Sequence, residues 1–147
     1  MNMTDKNIKV IHASWETHHK DLRKIRETVF MKEQLVPKEE EWDGQDEKSW
    51  HYLALSKDKT PIGCARLMPS GQIGRMAVLR EHRGLGIGAL LLDCAVTHAR
   101  ELKIEMIFLH AQTYAIGFYE KAGFKAHGEE FMDANIPHYA MTLISNN

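Results

Sequence analysis

Apolar positions along this chain change their spacing several times, and each change predicts an element. Lys9-Val10-Ile11 predicts a short opening strand. Ser14 or Thr17 can cap a helix behind it, because a short oxygen side chain accepts from the unpartnered amides of a first turn. Leu22, Ile25 and Val29 then recur at helical spacing. Residues 33–50 carry Glu39-Glu40-Glu41, Asp43, Asp46 and Glu47, with Trp42 and Trp50 as apolar anchors, which predicts a tethered loop or short helix rather than a linker. Residues 50–55 and 62–67, divided by Asp58-Lys59-Thr60-Pro61, predict a hairpin. Gly71-Gln72 marks the next turn, and Ile73 to Leu79 a third strand. Beyond a cluster of glycines, Ile87, Leu90, Leu91, Cys94, Ala95, Ala99 and Leu102 form one face of a long helix. Met106 to Leu109 predicts a buried strand and Tyr114 to Lys121 a short helix that Gly123 closes as a C-cap. Two last strands are expected near 124–132 and 138–145, joined through Asn135-Ile136-Pro137. Hairpins feeding a β-α-β unit imply an α/β (α+β) fold, a mixed sheet with helices on its faces.

Composition narrows the class. A chain of 147 residues suits one domain, 1–147, with polar ends at 1–6 and 145–147 expected to fray. The 19 Lys+Arg against 20 Asp+Glu lack the basic stripe of a nucleic-acid binder, so no nucleic-acid partner is expected. No secretory start and no apolar run of about 20 residues occurs, which argues against export and against a membrane partner. Cys64 and Cys94 form neither a C-x-x-C pair nor a disulfide framework. They read as reduced core thiols of a cytoplasmic protein.

The glycine cluster carries the chemistry. Arg83-Gly84-Leu85-Gly86-Ile87-Gly88 opens a helix directly after a strand. The first amides of a helix lack internal partners and lie at the positive end of its dipole, so a diphosphate satisfies them. Glycines let that anion approach the main chain, and Arg83 adds charge at the rim. A Walker A loop needs Gly-Lys-Ser/Thr, whereas Ala89-Leu90 follows Gly88 here. Gly84, Gly86 and Ala89 formally match a dinucleotide fingerprint, with Glu105 near the acidic position. That unit normally begins a repeated parallel array, which the hairpin-rich first half does not offer. A purely structural glycine turn leaves the gathering of three glycines and an arginine unexplained.

The pattern Arg/Gln-x-x-Gly-x-Gly/Ala after a strand, matched by Arg83, Gly86 and Gly88, resembles the acetyl-CoA signature of GNAT acetyltransferases. Gly74-Arg75-Met76-Ala77-Val78-Leu79 resembles the family strand along the pantetheine arm. Gln112 to Phe124, with Phe118-Tyr119-Glu120-Lys121-Ala122-Gly123-Phe124, resembles its second motif. Gln112 departs from the asparagine that many members have. Arg26 to Gln34, Val36-Pro37, the acidic run, His51 and Ile136-Pro137-His138 with Met141 resemble the ElaA/YjcF-type branch. The resemblance implies a mostly antiparallel mixed sheet of six to seven strands with helices on both faces. It implies acetyl transfer from acetyl-CoA to an amine of a small molecule or peptide, and allows a homodimer.

On that basis, the expected acetyl-CoA contacts are Met76, Ala77, Val78, Arg83, Gly84, Leu85, Gly86, Ile87, Gly88, Gln112, Phe118 and Tyr119, with the Val78 amide polarising the thioester and a bulge freeing it. Tyr119 is the expected acid toward the sulfur. His110 and His138 are the candidate bases, each with a structural alternative. Arg26, Glu33 and Gln34 are candidate acceptor contacts: Arg26 would receive a carboxylate, whereas the acidic segment 39–47 would attract a cation. The nine histidines show no metal spacing, and no metal is expected. A non-catalytic acyl-CoA-binding module and, more remotely, a nicotinamide enzyme on the glycine turn remain the alternatives.

Overall fold

The computed structural model describes residues 8–144, and the expected fraying of 1–6 and 145–147 lies outside the described residues. Strand β1 (Lys9–Ala13) ends at Ser14, whose hydroxyl accepts from the Thr17 amide at 3.2 Å and caps α1 (Trp15–Arg26). Helix α1 buries Leu22 and Ile25, then widens into a π-helical turn (Glu27–Glu33) that buries Val29. The acidic stretch forms α2 (Lys38–Glu41) and a 3-10 turn (Asp46–Lys48). Strands β2 (Trp50–Leu55), β3 (Pro61–Leu67) and β4 (Gln72–Val78) follow. Helix α3 (Ile87–Glu101) leads to β5 (Phe108–Gln112), and α4 (Ile116–Lys121) to β6 (Phe124–Asp133) and β7 (Ile136–Leu143).

The seven strands form one sheet in the order β1-β2-β3-β4-β5-β7-β6. All neighbours pair antiparallel except β4 and β5, which are parallel across the α3 crossover. This is the mixed, mostly antiparallel sheet expected. Each face has its own core. On one, Ile87, Leu91, Leu92, Ala95, Val96 and Ala99 of α3 pack with Ile62, Ala65, Leu67, Ile73, Leu109 and Met141. On the other, Leu22, Ile25 and Val29 cover Leu53, Cys64 and Ala77. Among the described residues no helix is long and apolar enough to cross a membrane.

Three local expectations are corrected. The buried stripe of α3 is turned toward Leu92 and Val96; Cys94 is half-buried and Leu102, beyond the helix end, is 40% exposed. A helix lying on a sheet buries a wider stripe than a narrow seam would, so Leu92 and Val96 come inside. Strand β5 starts at Phe108, leaving Met106 exposed outside it. Ala134 and Asn135, both left-handed (φ 53° and 63°), make the β6–β7 turn, so Ile136 and Pro137 belong to β7. Positive φ at both central residues matches the twist of a two-residue hairpin.

Candidate active site

Strands β4 and β5 pair at Gln72–Phe108 and Ile73–Leu109 and then part, β4 running on to Val78 and β5 to Gln112. A cleft of about 180 Å³ opens between them. Met76, Gln112, Tyr119, His110 and His138 all line it, so residues distant in sequence meet at one place. Strand β4 is bulged here. Cys64 pairs with Ala77 and Arg66 with Gly74, so Arg75 and Met76 together stand opposite Ala65. Arg75 takes a left-handed backbone (φ 49°), which costs a non-glycine residue about 1–2 kcal/mol. Past the bulge, the Leu79 amide donates to the Ile62 carbonyl on β3 at 2.9 Å. Successive amides of a strand face opposite edges, so the Val78 amide faces away from β3, toward the side from which β5 has parted. The Ala77 side chain lies in the α1-face core and its amide faces β3, so the acetyl-CoA contact expected of Ala77 is not placed at the cleft.

The glycine turn lies at the end of this strand. Gly84 and Gly86 are left-handed (φ 80° and 82°), and a Cβ at either meets nothing within 4 Å, so the turn is open outward. The Leu90 amide makes the first bond to the Gly86 carbonyl at 3.2 Å, and no side chain caps the helix. The amides of Ile87, Gly88 and Ala89 therefore have no partner within α3. Ile87 offers backbone alone, because its side chain is buried; Leu85 is exposed. Phe118 lies beside the helix start, its ring 3.4 Å from where a Cβ on Gly88 would stand.

Tyr119 sits across the cleft with its hydroxyl 3.9 Å from Met76 Sδ, and burial pushes its phenol up to about 12. His138 is buried, and its Nδ1 lies 2.7 Å from the Ile136 carbonyl. A carbonyl only accepts, so Nδ1 carries a proton, and in the neutral ring the lone pair lies on Nε2. Phe131 stacks on the His138 ring, centroids 5.9 Å apart. His110 is exposed; desolvation lowers its basicity, and His138 and His127 lower it further against Asp133.

Arg26 does not reach an acceptor, which corrects the expectation for it. It is 1% exposed: Nε donates to Glu41 Oε2 and Nη1 to Asp46 Oδ1, both at 2.7 Å, and Nη2 to the Glu41 carbonyl at 3.1 Å. Part of the acidic segment is likewise engaged by arginines, while Glu40 and Glu41 line the cleft. Arg66 forks onto Asp43 at 3.0 and 2.8 Å, and Arg75 binds Asp43 at 3.2 Å. Three arginines thus meet Glu41, Asp43 and Asp46 in a charge-matched network whose Glu41 and Arg75 line the cleft. Burial works against the Asp43 charge, but hydrogen bonds from Arg66 and the Gln45 amide outweigh it and hold the carboxyl at about 2. Burial dominates at Glu41 and raises its pKa.

Glu33 is also corrected. Its carboxylate accepts from Arg83 Nη1 and Nη2 at 2.6 and 2.7 Å, joining it to the glycine turn rather than to an acceptor pocket. Arg83 Nε donates to the Val78 carbonyl at 2.8 Å, so its charge is already matched. Gln34 does line the cleft, its Oε1 accepting from Gln112 Nε2 at 2.9 Å. Burial pushes the Cys64 thiol up to about 12, which leaves it inert. Among the described residues no three metal-ligating side chains converge.

Arg75, Gln72 and Asp133 line the cleft without having been singled out. Only Arg75 left a trace in the sequence, a glycine-arginine step that interrupts the alternation of β4. The dinucleotide alternative fails on topology, since the sheet contains a single parallel pair rather than a parallel array.

Comparisons with known proteins agree with this geometry. The family model described as acetyltransferase (GNAT) domain matches residues 13–145. The uncharacterized N-acetyltransferase YjcF of Bacillus subtilis is 37% identical, over 91% of this chain and 98% of that one. A crystal structure of an acyl-CoA N-acyltransferase from Pseudomonas aeruginosa superposes with a TM-score of 0.77 at 26% identity, covering 93% of this chain and 98% of that one. Escherichia coli ElaA shares the fold with a TM-score of 0.83 at 24% identity, covering 93% and 99%.

Proposed function

Since the chain belongs to the GNAT acetyltransferase family, we propose that it is an acetyl-CoA-dependent N-acetyltransferase that moves an acetyl group to a primary amine by direct attack in a ternary complex. The observation that carries this reading is the parting of β4 and β5 beside an uncapped helix start. The main-chain amides of residues 84–89 receive a diphosphate, and the free edge of β4 holds the pantetheine arm. Acetyl-CoA supplies the acyl group as a thioester.

The Val78 amide donates to the oxygen on which charge develops, an effect worth about 2.7–4 kcal/mol per donor in comparable sites. An alkylamine near pKa 10.4 is about 3.4 units above neutrality, so presenting it neutral costs roughly 4.6 kcal/mol. His138 Nε2, with its lone pair fixed by the Ile136 bond, accepts that proton; His110 is the second base candidate on the same wall. Tyr119 steadies the departing sulfur. Full proton transfer from a phenol at about 12 to a thiolate near 8.5 is uphill by roughly 5 kcal/mol. Tyr119 therefore acts chiefly as a hydrogen-bond donor, and the proton shed by the amine is the better source for the thiol.

A thiol-release assay with acetyl-CoA and a panel of amines tests this. Release should require an amine, and Tyr119→Phe should lower kcat about tenfold while the Kd for acetyl-CoA stays unchanged. Tight binding without turnover on any amine would make the protein a binding module instead.

A further inference from the structure

Arginine 75 stands where the backbone asks for glycine. It is the left-handed residue of the β4 bulge, while Gly74 beside it shows no positive φ. Its side chain is tied down on several sides. Nη2 donates to the Glu40 carbonyl at 3.1 Å, the Glu41 carbonyl at 3.0 Å and Asp43 Oδ2 at 3.2 Å. Nε lies 3.1 Å from Glu41 Oε2, an ion-pair contact without hydrogen-bond alignment. Arg26 grips Glu41 from the other side at 2.7 Å. The bulge is thus clasped to α2, which is itself anchored to α1.

The extra residue decides the edge each later amide faces. Before the bulge Arg66 pairs with Gly74, and after it Cys64 pairs with Ala77. Because a strand repeats every two residues, removing the extra residue reverses the direction of every amide beyond it. The Val78 amide would then turn toward β3, and the Ala77 amide would take its place at the cleft.

We propose that Arg75 is a positioning residue: its clasp on Glu40, Glu41 and Asp43 holds the left-handed bulge that aims the Val78 amide into the cleft. This rests on the acetyltransfer reading above, in which that amide polarises the thioester. Arg75 touches no reacting atom in this role. Its charge matters only through the anchors, and its backbone conformation is what the reaction uses.

The test compares Arg75→Gly with Arg75→Ala in the full chain. Glycine adopts the left-handed backbone without anchors, whereas alanine does not. Arg75→Ala should lower kcat tenfold or more with the acetyl-CoA Kd within threefold of the parent. Arg75→Gly should recover most of that loss although it has lost the same charge and contacts. Equal kcat losses in both variants, or a loss confined to the acceptor KM, would overturn the proposal; the latter would make Arg75 a substrate contact. If Arg75→Ala does not fold, Arg75→Asn replaces it, since asparagine tolerates the left-handed region and should fall between the two. Amide exchange followed by NMR gives a readout that needs no turnover. Val78 should exchange quickly in the parent and in Arg75→Gly, and become protected in Arg75→Ala. Fast exchange in all three would overturn the clasp. An inactive parent that shows the expected exchange pattern would sink the acetyltransfer reading alone.

Discussion

Replacing Gly86 by aspartate separates the fold from ligand binding. A Cβ at Gly86 meets nothing within 4 Å, so no packing is lost. The cost to the free protein is the left-handed backbone (φ 82°), about 1 kcal/mol for a residue type that visits this region more readily than most. In a chain of this size that lowers Tm by about 2–4 °C. The cost to the complex is larger. The new carboxylate stands among the amides of the α3 start, where a diphosphate is expected. Two like charges about 4 Å apart repel by ~1 kcal/mol in bulk water and ~4 kcal/mol near a protein surface. At 1.4 kcal/mol per decade, affinity for acetyl-CoA should fall by roughly one to three decades. Calorimetric titration of acetyl-CoA, paired with a thermal melt, measures both numbers. Gly86→Ala carries the backbone cost without the charge and should lose about tenfold or less. A Kd for Gly86→Asp within threefold of the parent, in protein that melts normally, would refute the claim that these amides hold a diphosphate.

Two further outcomes follow from ion pairs in the structure. Glu33 occupies the guanidinium of Arg83 at the rim of the glycine turn, where it competes with a phosphate. Glu33→Gln should therefore tighten acetyl-CoA binding about two- to fivefold, in line with the ~0.2–1 kcal/mol of an exposed pair; weaker binding would mean that Glu33 instead holds Arg83 in a productive pose. Asp43, held at about 2 against ~3.9 when unfolded, contributes stability that is fully present above about pH 4 and disappears as pH falls toward 2. With its side chain 30% exposed, solvent screening leaves about 1 kcal/mol of this. Asp43→Asn should lower Tm at pH 7 by about 2–4 °C, and the gap should close below pH 4. A gap that stays constant with pH would show that the charge is not responsible.

Local patterns settled much of this protein in advance. Period-two and helical spacing foretold the strands and main helices, Ser14 the first cap and Gly123 the closing one, because those signals are carried by neighbouring residues and their hydrogen-bonding needs. The glycine turn was legible for the same reason: positive φ and an open helix start are properties of a short segment. Charge partners were not legible. Arg26 and Glu41 are far apart in the chain, and nothing local tells a buried ion pair from an exposed substrate contact; only the packing of α1 against α2 makes Arg26 structural. The same holds for Glu33, which a long-range approach hands to Arg83.

Segment-level chemistry thus determined that a strand, a glycine turn and a helix would present free amides. Tertiary structure decided which β4 amides face away from β3, because that depends on a one-residue bulge whose left-handed Arg75 reaches the carbonyls of Glu40 and Glu41 on α2. It also decided that Tyr119, Met76 and His138 share one cleft. Sequence spacing sets the direction of a side chain along its own element, but the meeting of three elements follows from how the sheet splits between β4 and β5.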